Sequence, residues 1–549
     1  MSPMTAITAE VPATDDNSRL TVLRARLVSP LPEDRLWSWI WSLLVTAFGA
    51  FLRFNRLATP RALIFDETYY AKDAWSILQH GVEWNTVQNA NQLIQAGHTN
   101  IFAPCSGTGC GEYVVQPEMG KLLIAVGEWL FGLNSFGWRF SSAVFGSLAI
   151  LLICRIGRRM TRSTLLGCIA GLLMSLDGLE FVLSRTGILD IFLMFFVLAA
   201  FGCLLIDRDE ARERLAVLVA ALAAGPAGAG PAGEAGPRLG IRKWRVLAGV
   251  FIGLAIATKW DAIWYLIGFA ILGTAWDVGA RRAAGLRAFW RGTLTRDTAW
   301  LPVTFLLIPF AVYVATWSGW LITRTGYYRN YGQLHGVTVP VISALYSLFK
   351  YHQQAIQFGL TLRTPHPYQS QPWDWMVMTR PVAFFYEGYA SPAGGPSHYC
   401  PKTGCTGPTW SQEVLAIGTP AIWWGAILAL AFCLGWWLLH RDWRAGAVLC
   451  GVAAGWLPWF PLVTRTKFYY YALEFEPFLI LAITLCLGLI IGQASATILR
   501  RSIGAGLAGA YLLTVLLMFY YFYPLLAGKV IPYSDWLSHI WYRIGKGWI

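Results

Sequence analysis

The sequence predicts an α-helical integral membrane protein with about eleven transmembrane helices and two long outer loops. Three observations carry the prediction. The chain has 549 residues, 56% of them hydrophobic and only 13% charged, too little polar surface to cover a water-soluble globule of this size. Its apolar runs are of helix-spanning length and too long for the strands of a membrane barrel. Its 28 tryptophans gather near the ends of those runs, as in "RLWSWIWS" and "PAIWWGAI", where their rings suit the headgroup layer. The net charge of +13 does not point to nucleic acid, because most basic clusters flank apolar runs and report topology.

Taken in order, residues 1–36 form a polar, basic arm without the apolar core and cleavage site of a signal peptide, so the first span stays in the mature chain. Spans are expected at 37–54, 138–157, 163–178, 188–206, 244–260, 261–277, 299–319, 419–439, 444–462, 474–496 and 504–525. The short third span and the abutting fifth and sixth leave the count open by one or two. The membrane domain 37–319 contains an outer loop at 55–137 and a linker at 207–243 built on "AAGPAGAGPAGEAGP", whose composition has no helical period. The preceding "LAVLVAALAA" is half a span long and is expected to form a separate surface helix. A second outer loop occupies 320–418, the last spans 419–525, and a tail 526–549. Arginines 19, 24, 26, 35, 155, 158, 159, 162, 281, 282, 287, 441, 444, 500 and 501 all fall on one side if the N-terminus is cytoplasmic, which puts both loops and the C-terminus outside. In the second loop, apolar positions 341, 342, 345, 346, 348 and 349 suit a helix lying on the bilayer.

Six cysteines lie in apolar spans, where a small hydrophobe is enough to explain them. The other four form "CSGTGC" (Cys105, Cys110) and "CPKTGC" (Cys400, Cys405), one pair in each outer loop. Four such cysteines suit zinc, but an oxidising exterior favours disulfides, and pairing within each motif is preferred over the two cross-pairings that the sequence leaves open.

Ionisable residues at membrane depth are expensive and usually mark a site. Six gather at the expected outer edge. Asp66 and Glu67 open "DETYYAKDAW"; Arg139 begins the second span; Arg185 and Asp190 precede the fourth; Lys259 ends the fifth. Each has an ordinary structural explanation. Asp66 suits the N-cap of a helix running from Glu67 to His80, stopped by Gly81 and burying Tyr70, Ala74, Ile77 and Leu78. Glu67 is then a first-turn acid, Arg139 and Lys259 interfacial anchors, and Arg185 and Asp190 a structural ion pair. Their clustering at one depth favours chemistry instead. Group transfer from a lipid-linked phosphate needs fixed cations for the departing phosphate and a carboxylate to take the proton of the attacking hydroxyl. Both kinds of group are present.

The ordered segments "FDETYY", "GWRFSSA", "SRTGILD", "ATKW", "HPYQSQPWDW" and "GWLPW" resemble, in sequence and order, the signatures of the actinobacterial protein O-mannosyltransferases, over nearly the whole chain from about residue 35. The resemblance implies a membrane glycosyltransferase C fold, a polyprenyl-phosphate-mannose donor, and Ser or Thr hydroxyls of exported proteins as acceptors at a bacterial plasma membrane. By motif, the resemblance makes Asp66, Glu67 and Asp190 the catalytic set, with Asp66 the base, Glu67 its partner near the donor and Asp190 supporting the site with Arg185, while Arg139 and Lys259, together with Arg185, hold the donor phosphate. Gln116, Glu118, Lys121, His366 and Trp373 belong to loops bordering donor or acceptor. The family pattern His-Pro-Pro-x-Gly-Lys reads "QPEMGK" here, with Gln116 for the His and Glu118 for the second Pro. The second loop is also too short for the β-trefoil domain of eukaryotic members. No cofactor is required for carboxylate base chemistry, although Asp66, Glu67 and Asp190 could coordinate Mg²⁺. Two rivals remain: a polyprenyl-phosphate glycosyltransferase with a lipid or polysaccharide acceptor, and a transporter. The second should carry midplane charges on matching halves, which the sequence lacks.

Overall fold

The computed structural model describes residues 16–105, 109–224, 233–389, 409–493, 495–541 and 547–548. Helix α1 (Asp16–Leu27) precedes α2 (Arg35–Phe54), and the first long loop contains α3 (Glu67–His80) and α4 (Met119–Phe131). The bundle continues with α5 (Ser135–Thr161), α6 (Thr164–Ser175), α7 (Asp190–Ala224), α8 (Lys243–Ile256), α9 (Ile263–Ala283) and α10 (Phe289–Thr316). After α11 (Pro340–Thr361) come α12 (Pro420–His440), α13 (Trp443–Trp456), α14 (Glu476–Ile491) and α15 (Ile498–Leu526). Every predicted span falls on helix. Seven helical segments are long and apolar enough to cross a membrane among the described residues, and α6, α8, α13 and α14 are shorter.

Similar apolar composition serves two environments. The apolar stretch of α7 is 89% buried and forms the axis of the bundle, whereas those of α2 and α10 are 17% buried and turn leucines, phenylalanines and tryptophans outward. Helix α5 packs on α2, α4, α6 and α7, with its first turn capped by the Asn134 side chain, which accepts from the amides of Phe136 and Gly137.

Three differences from the sequence reading have local causes. The "LAVLVAALAA" stretch forms no separate helix. It continues α7, whose 35 residues extend about 50 Å, well beyond a ~30 Å hydrocarbon layer. The projecting end is stabilised by α1, through the Arg24–Glu213 ion pair and a small core of Leu27, Leu215, Ala216, Ala280 and Ala284. The linker is thereby shortened at its start, and residues 225–232 lie outside the described set. The tail is not a loose extension: β3 (Val530–Pro532) pairs with β2 (Trp410–Ala416), which pairs with β1 (Val382–Tyr389), in an antiparallel sheet of order β1-β2-β3. Trp536 then donates to Glu413 at 2.6 Å.

Helix α11 occupies the expected surface position. Val341, Ile342, Leu345 and Phe349 are exposed on one face, while Leu348, assigned to that face, is buried against the protein with Ala344 and Tyr351. Cys105 and Cys110 form the expected disulfide. Cys400 and Cys405 fall outside the described residues.

Candidate active site

The stretch that carries the acids is held in an uncommon backbone conformation. Phe65 has φ of +46°, a left-handed value that costs a non-glycine residue of order 1 kcal/mol or more. Aromatic packing holds it there: its ring stacks on Phe384 at 4.5 Å and meets Phe468 and Tyr470 edge-on at 6.2 and 5.5 Å. The turn throws Asp66 and Glu67 in different directions.

Helix α3 begins at Glu67 and stops at Gly81, whose φ of +76° closes the C-terminus, as the sequence predicts. Asp66 is not its side-chain cap: φ is −71°, ψ is −6°, and the carboxylate makes no capping bond. The buried face is also rotated from the expected stripe. Glu67, Ala71, Asp73, Ala74 and Ser76 point inward, and Leu78 is exposed. Glu67 is drawn inward by its ion pair with the buried Arg139 of α5.

Glu67 is fully buried and fully engaged. Its Oε1 accepts from Arg139 Nε at 2.7 Å and from the Gly187 amide at 2.9 Å; its Oε2 accepts from Arg139 Nη2 at 2.8 Å and the Ile64 amide at 3.0 Å. Gly187 suits this closeness, since a Cβ there would make a tight 3.0 Å contact with the Trp138 carbonyl oxygen. Arg139, also fully buried, spends its remaining N–H groups on the carbonyls of Leu57, Pro60 and Ala62. The Glu67–Arg139 pair pins the loop 55–137 to α5 and to the entrance of α7. Arg185 also serves the backbone. It makes no ion pair with Asp190, and donates to the carbonyls of Leu52, Arg53, Asn55 and Arg56 at the end of α2.

Asp66 keeps partial solvent contact in a different setting. Burial raises its carboxyl to about 7, the Asp190 charge pushes the same way, and the Lys259 charge and Tyr470 hydroxyl only partly offset them. Lys259 Nζ donates to Asp190 Oδ1 at 2.9 Å, lies 3.6 Å from Asp261 Oδ2, and stands 4.3 Å from the centre of the Tyr471 ring. The same lysine lines a cavity of about 240 Å³ together with Gln116, Asp261, Trp459, Arg465 and Tyr471. This cavity opens between α11, the Gln116 loop and the segment before α14.

Arg465, Asp261, Tyr470 and Tyr471 escaped the sequence reading. Arg465 donates through Nε to the Gly359 carbonyl at 2.8 Å and lies over the Trp459 ring at 5.2 Å, with no carboxylate partner among the described residues. The signal was present in "TRTKFYYY", a basic pair running into aromatics at the outer end of a span.

The remaining expected residues divide. Gln116 lines the cavity, so an amide stands where the family pattern has imidazole. Glu118 and Lys121 do not reach it; they form a buried cluster in which Lys121 pairs with Glu83 and, at 3.4 Å, with Glu118. Lys121 holds Glu83 low, while burial and Glu83 push Glu118 well up. Asp73, beside them, is raised to about 8 by burial. His366 is one layer back, its ring 5.0 Å from Phe468, which stacks on Tyr470 at 5.6 Å. Trp373 is half exposed, packs against Phe460 and does not line the cavity.

Comparison with known proteins identifies the family. Residues 43–229 match the dolichyl-phosphate-mannose-protein mannosyltransferase family, and residues 344–544 match the C-terminal four-transmembrane region of protein O-mannosyltransferases. A polyprenol-phosphate-mannose--protein mannosyltransferase of Mycolicibacterium smegmatis is 39% identical over 523 residues, 93% of this chain and 93% of its own. The chain belongs to that family. A Mycobacterium tuberculosis relative of the same name is 39% identical over 93% of this chain and 92% of its own, and one from Corynebacterium glutamicum is 31% identical over 96% and 98%. The fold agrees. The Saccharomyces cerevisiae Pmt1–Pmt2 complex bound to the sugar donor includes a chain that superposes with a TM-score of 0.66 at 14% identity, covering 96% of this chain and 94% of its own.

Proposed function

We propose that this chain transfers mannose from polyprenyl-phosphate mannose to Ser or Thr hydroxyls of exported polypeptides, inverting the anomeric centre, on the outer face of a bacterial plasma membrane. As a member of its family it is a multi-pass membrane mannosyltransferase that acts on protein. The N-terminus is cytoplasmic in this reading, and the C-terminus and the catalytic loop are outside, following the distribution of arginines.

One observation carries the site assignment: Asp66 is a raised, partly open carboxyl electrostatically coupled to a lysine that lines a cavity. Ionised Asp66 accepts the acceptor hydroxyl's proton as its oxygen bonds to the anomeric carbon. The bond from that carbon to the phosphate oxygen breaks, and its electron pair leaves with the phosphate. Lys259 and Arg465 stabilise the charge gathering there, so the leaving group needs no acid. Asp190 is a positioning residue that aims Lys259. Gln116 supplies a neutral donor at the cavity wall. No metal is needed for these steps; of the three carboxylates suggested for Mg²⁺, Glu67 pairs with Arg139 and Asp190 with Lys259, and Asp66 is the proton acceptor.

The testing assay uses purified protein, polyprenyl-phosphate mannose and a Ser/Thr-rich peptide. Peptide mannosylation of inverted configuration, undiminished by EDTA and without a covalent sugar on the protein, is expected. Absence of peptide mannosylation under all conditions would sink the reading, and loss on EDTA that Mg²⁺ restores would remove its metal-free part.

A further inference from the structure

At the opposite end of α5 from Arg139, about 33 Å away by helical rise, the C-terminal ends of α5, α12 and α14 meet the start of α15 around a second cavity. It measures about 490 Å³, and Arg162, Asp442, Arg444 and Arg501 stand on its wall. Arg162 pairs with Asp209 at 2.9 Å and Arg444 with Asp442 at 2.7 Å. Arg501 is exposed and has no ion-pair partner among the described residues. Leu165, Leu166, Leu485, Leu489 and Ile491 make the rest of the wall largely apolar.

Leu489 belongs also to a neighbouring groove of about 460 Å³ between α12, α14 and α15, lined by Leu428, Phe432, Leu487, Leu507 and Tyr511. Arg500 stands at that groove's edge and donates to the carbonyls of Leu489 and Ile490. Arg162, Arg444, Arg500 and Arg501 stand against only Asp442 and an Asp209 that is also shared with Arg159 and Arg208, which leaves net positive charge where the basic chamber joins the oily one.

We propose that this paired chamber binds one anionic phospholipid, its phosphate headgroup among Arg162, Arg444 and Arg501 and an acyl chain in the α12–α14–α15 groove. Charge complementarity selects this occupant, since the apolar groove alone would accept any acyl chain and the arginines alone any phosphate. Basic pockets between transmembrane helices are a recurrent means of holding anionic headgroups. The site is remote from Asp66 and uses none of the residues assigned to transfer.

The experiment places the full-length protein in phosphatidylcholine nanodiscs containing trace phosphatidylglycerol with a photoreactive acyl chain, and maps the labelled peptides by mass spectrometry. Labelling of α12, α14 and α15 around Phe432, Leu487 and Leu507 is expected, displaced by unlabelled phosphatidylglycerol and not by phosphatidylcholine. Each arginine charge removed should weaken binding about fivefold, so Arg444→Gln with Arg501→Gln costs about 25-fold. Arg501→Gln alone changes an exposed side chain and gives the same test if the double variant folds poorly. Mannosyl transfer in phosphatidylcholine should survive both changes. Equal displacement by phosphatidylcholine, displacement by inorganic phosphate, stronger displacement by polyprenyl phosphate, or unchanged labelling of Arg501→Gln would each overturn the proposal.

Discussion

Asp66 and Glu67 are adjacent acids with opposite fates. Glu67 accepts four hydrogen bonds, two of them from a buried guanidinium, and has nothing left to offer a substrate. Asp66 lies beside another carboxylate and a lysine, is raised to about 7, and keeps access to solvent. The difference teaches how to sort charges at the edge of a membrane. A buried ion whose every bond is filled is architecture, while one left poised by its neighbours is available for proton transfer. The same rule separates Arg139, which is filled, from Arg465, which is not.

The largest test of that contrast is Asp66→Asn. The isosteric amide cannot take a proton, so peptide mannosylation should fall by roughly 10²–10⁴-fold while donor binding and thermal stability stay near the parent's. A near-parental rate would move the base elsewhere, Asp190 being next in line. Glu67→Ala should show the complementary failure. It leaves Arg139 buried without its counter-ion, a loss of about 3–5 kcal/mol that would be read as lower folded yield and an earlier melting transition. Retained stability in that variant would contradict the pinning role.

Arg465→Ala and Lys259→Ala should each weaken donor binding by about tenfold to a hundredfold, the range for losing a charged hydrogen bond. Arg139→Lys should instead cost stability, since a lysine cannot serve Glu67 and three carbonyls at once. If Arg139→Lys loses donor affinity without loss of stability, the division between the two arginines is wrong.

The smallest effects are in pH. Asp66 is protonated and inactive as a base below about 7, so kcat/KM should rise with pH and level off above that value, a limb that Asp66→Asn lacks. Stability should run the other way. The folded carboxyl binds its proton more tightly than the unfolded one, whose ordinary value is 3.8, so this contribution is full below about 4 and lost as pH rises through about 7. Denaturant titrations of parent and Asn variant across that window would resolve it, and a parent curve no steeper than the variant's would contradict the raised carboxyl.

Much of this was legible before any coordinates. Helix α3 and its Gly81 stop are local: a first-turn acid and a residue free to adopt positive φ. The Cys105–Cys110 bond joins residues five apart in the chain and needs no distant partner. The spans followed from hydropathy, and the depth at which the charges gather followed from the spans. Partners were not legible. Arg139 finds Glu67 from another helix, Lys259 finds Asp190 across α7 and α8, and Arg465 reaches the cavity from the far end of the chain.

The sequence by itself determined the membrane class, the helical architecture, the family motifs and the edge where ionisable groups collect, because these depend on composition and on spacing along one helix. Only the tertiary structure decided which acid is filled and which is poised, which arginine lines the cavity, that a three-residue strand from the tail completes the three-stranded sheet, and which apolar helix is the axis rather than the rim. The physical reason is that hydropathy is a property of a segment, whereas a carboxylate's readiness to take a proton depends on the charges and donors that distant segments bring to within a few ångströms of it.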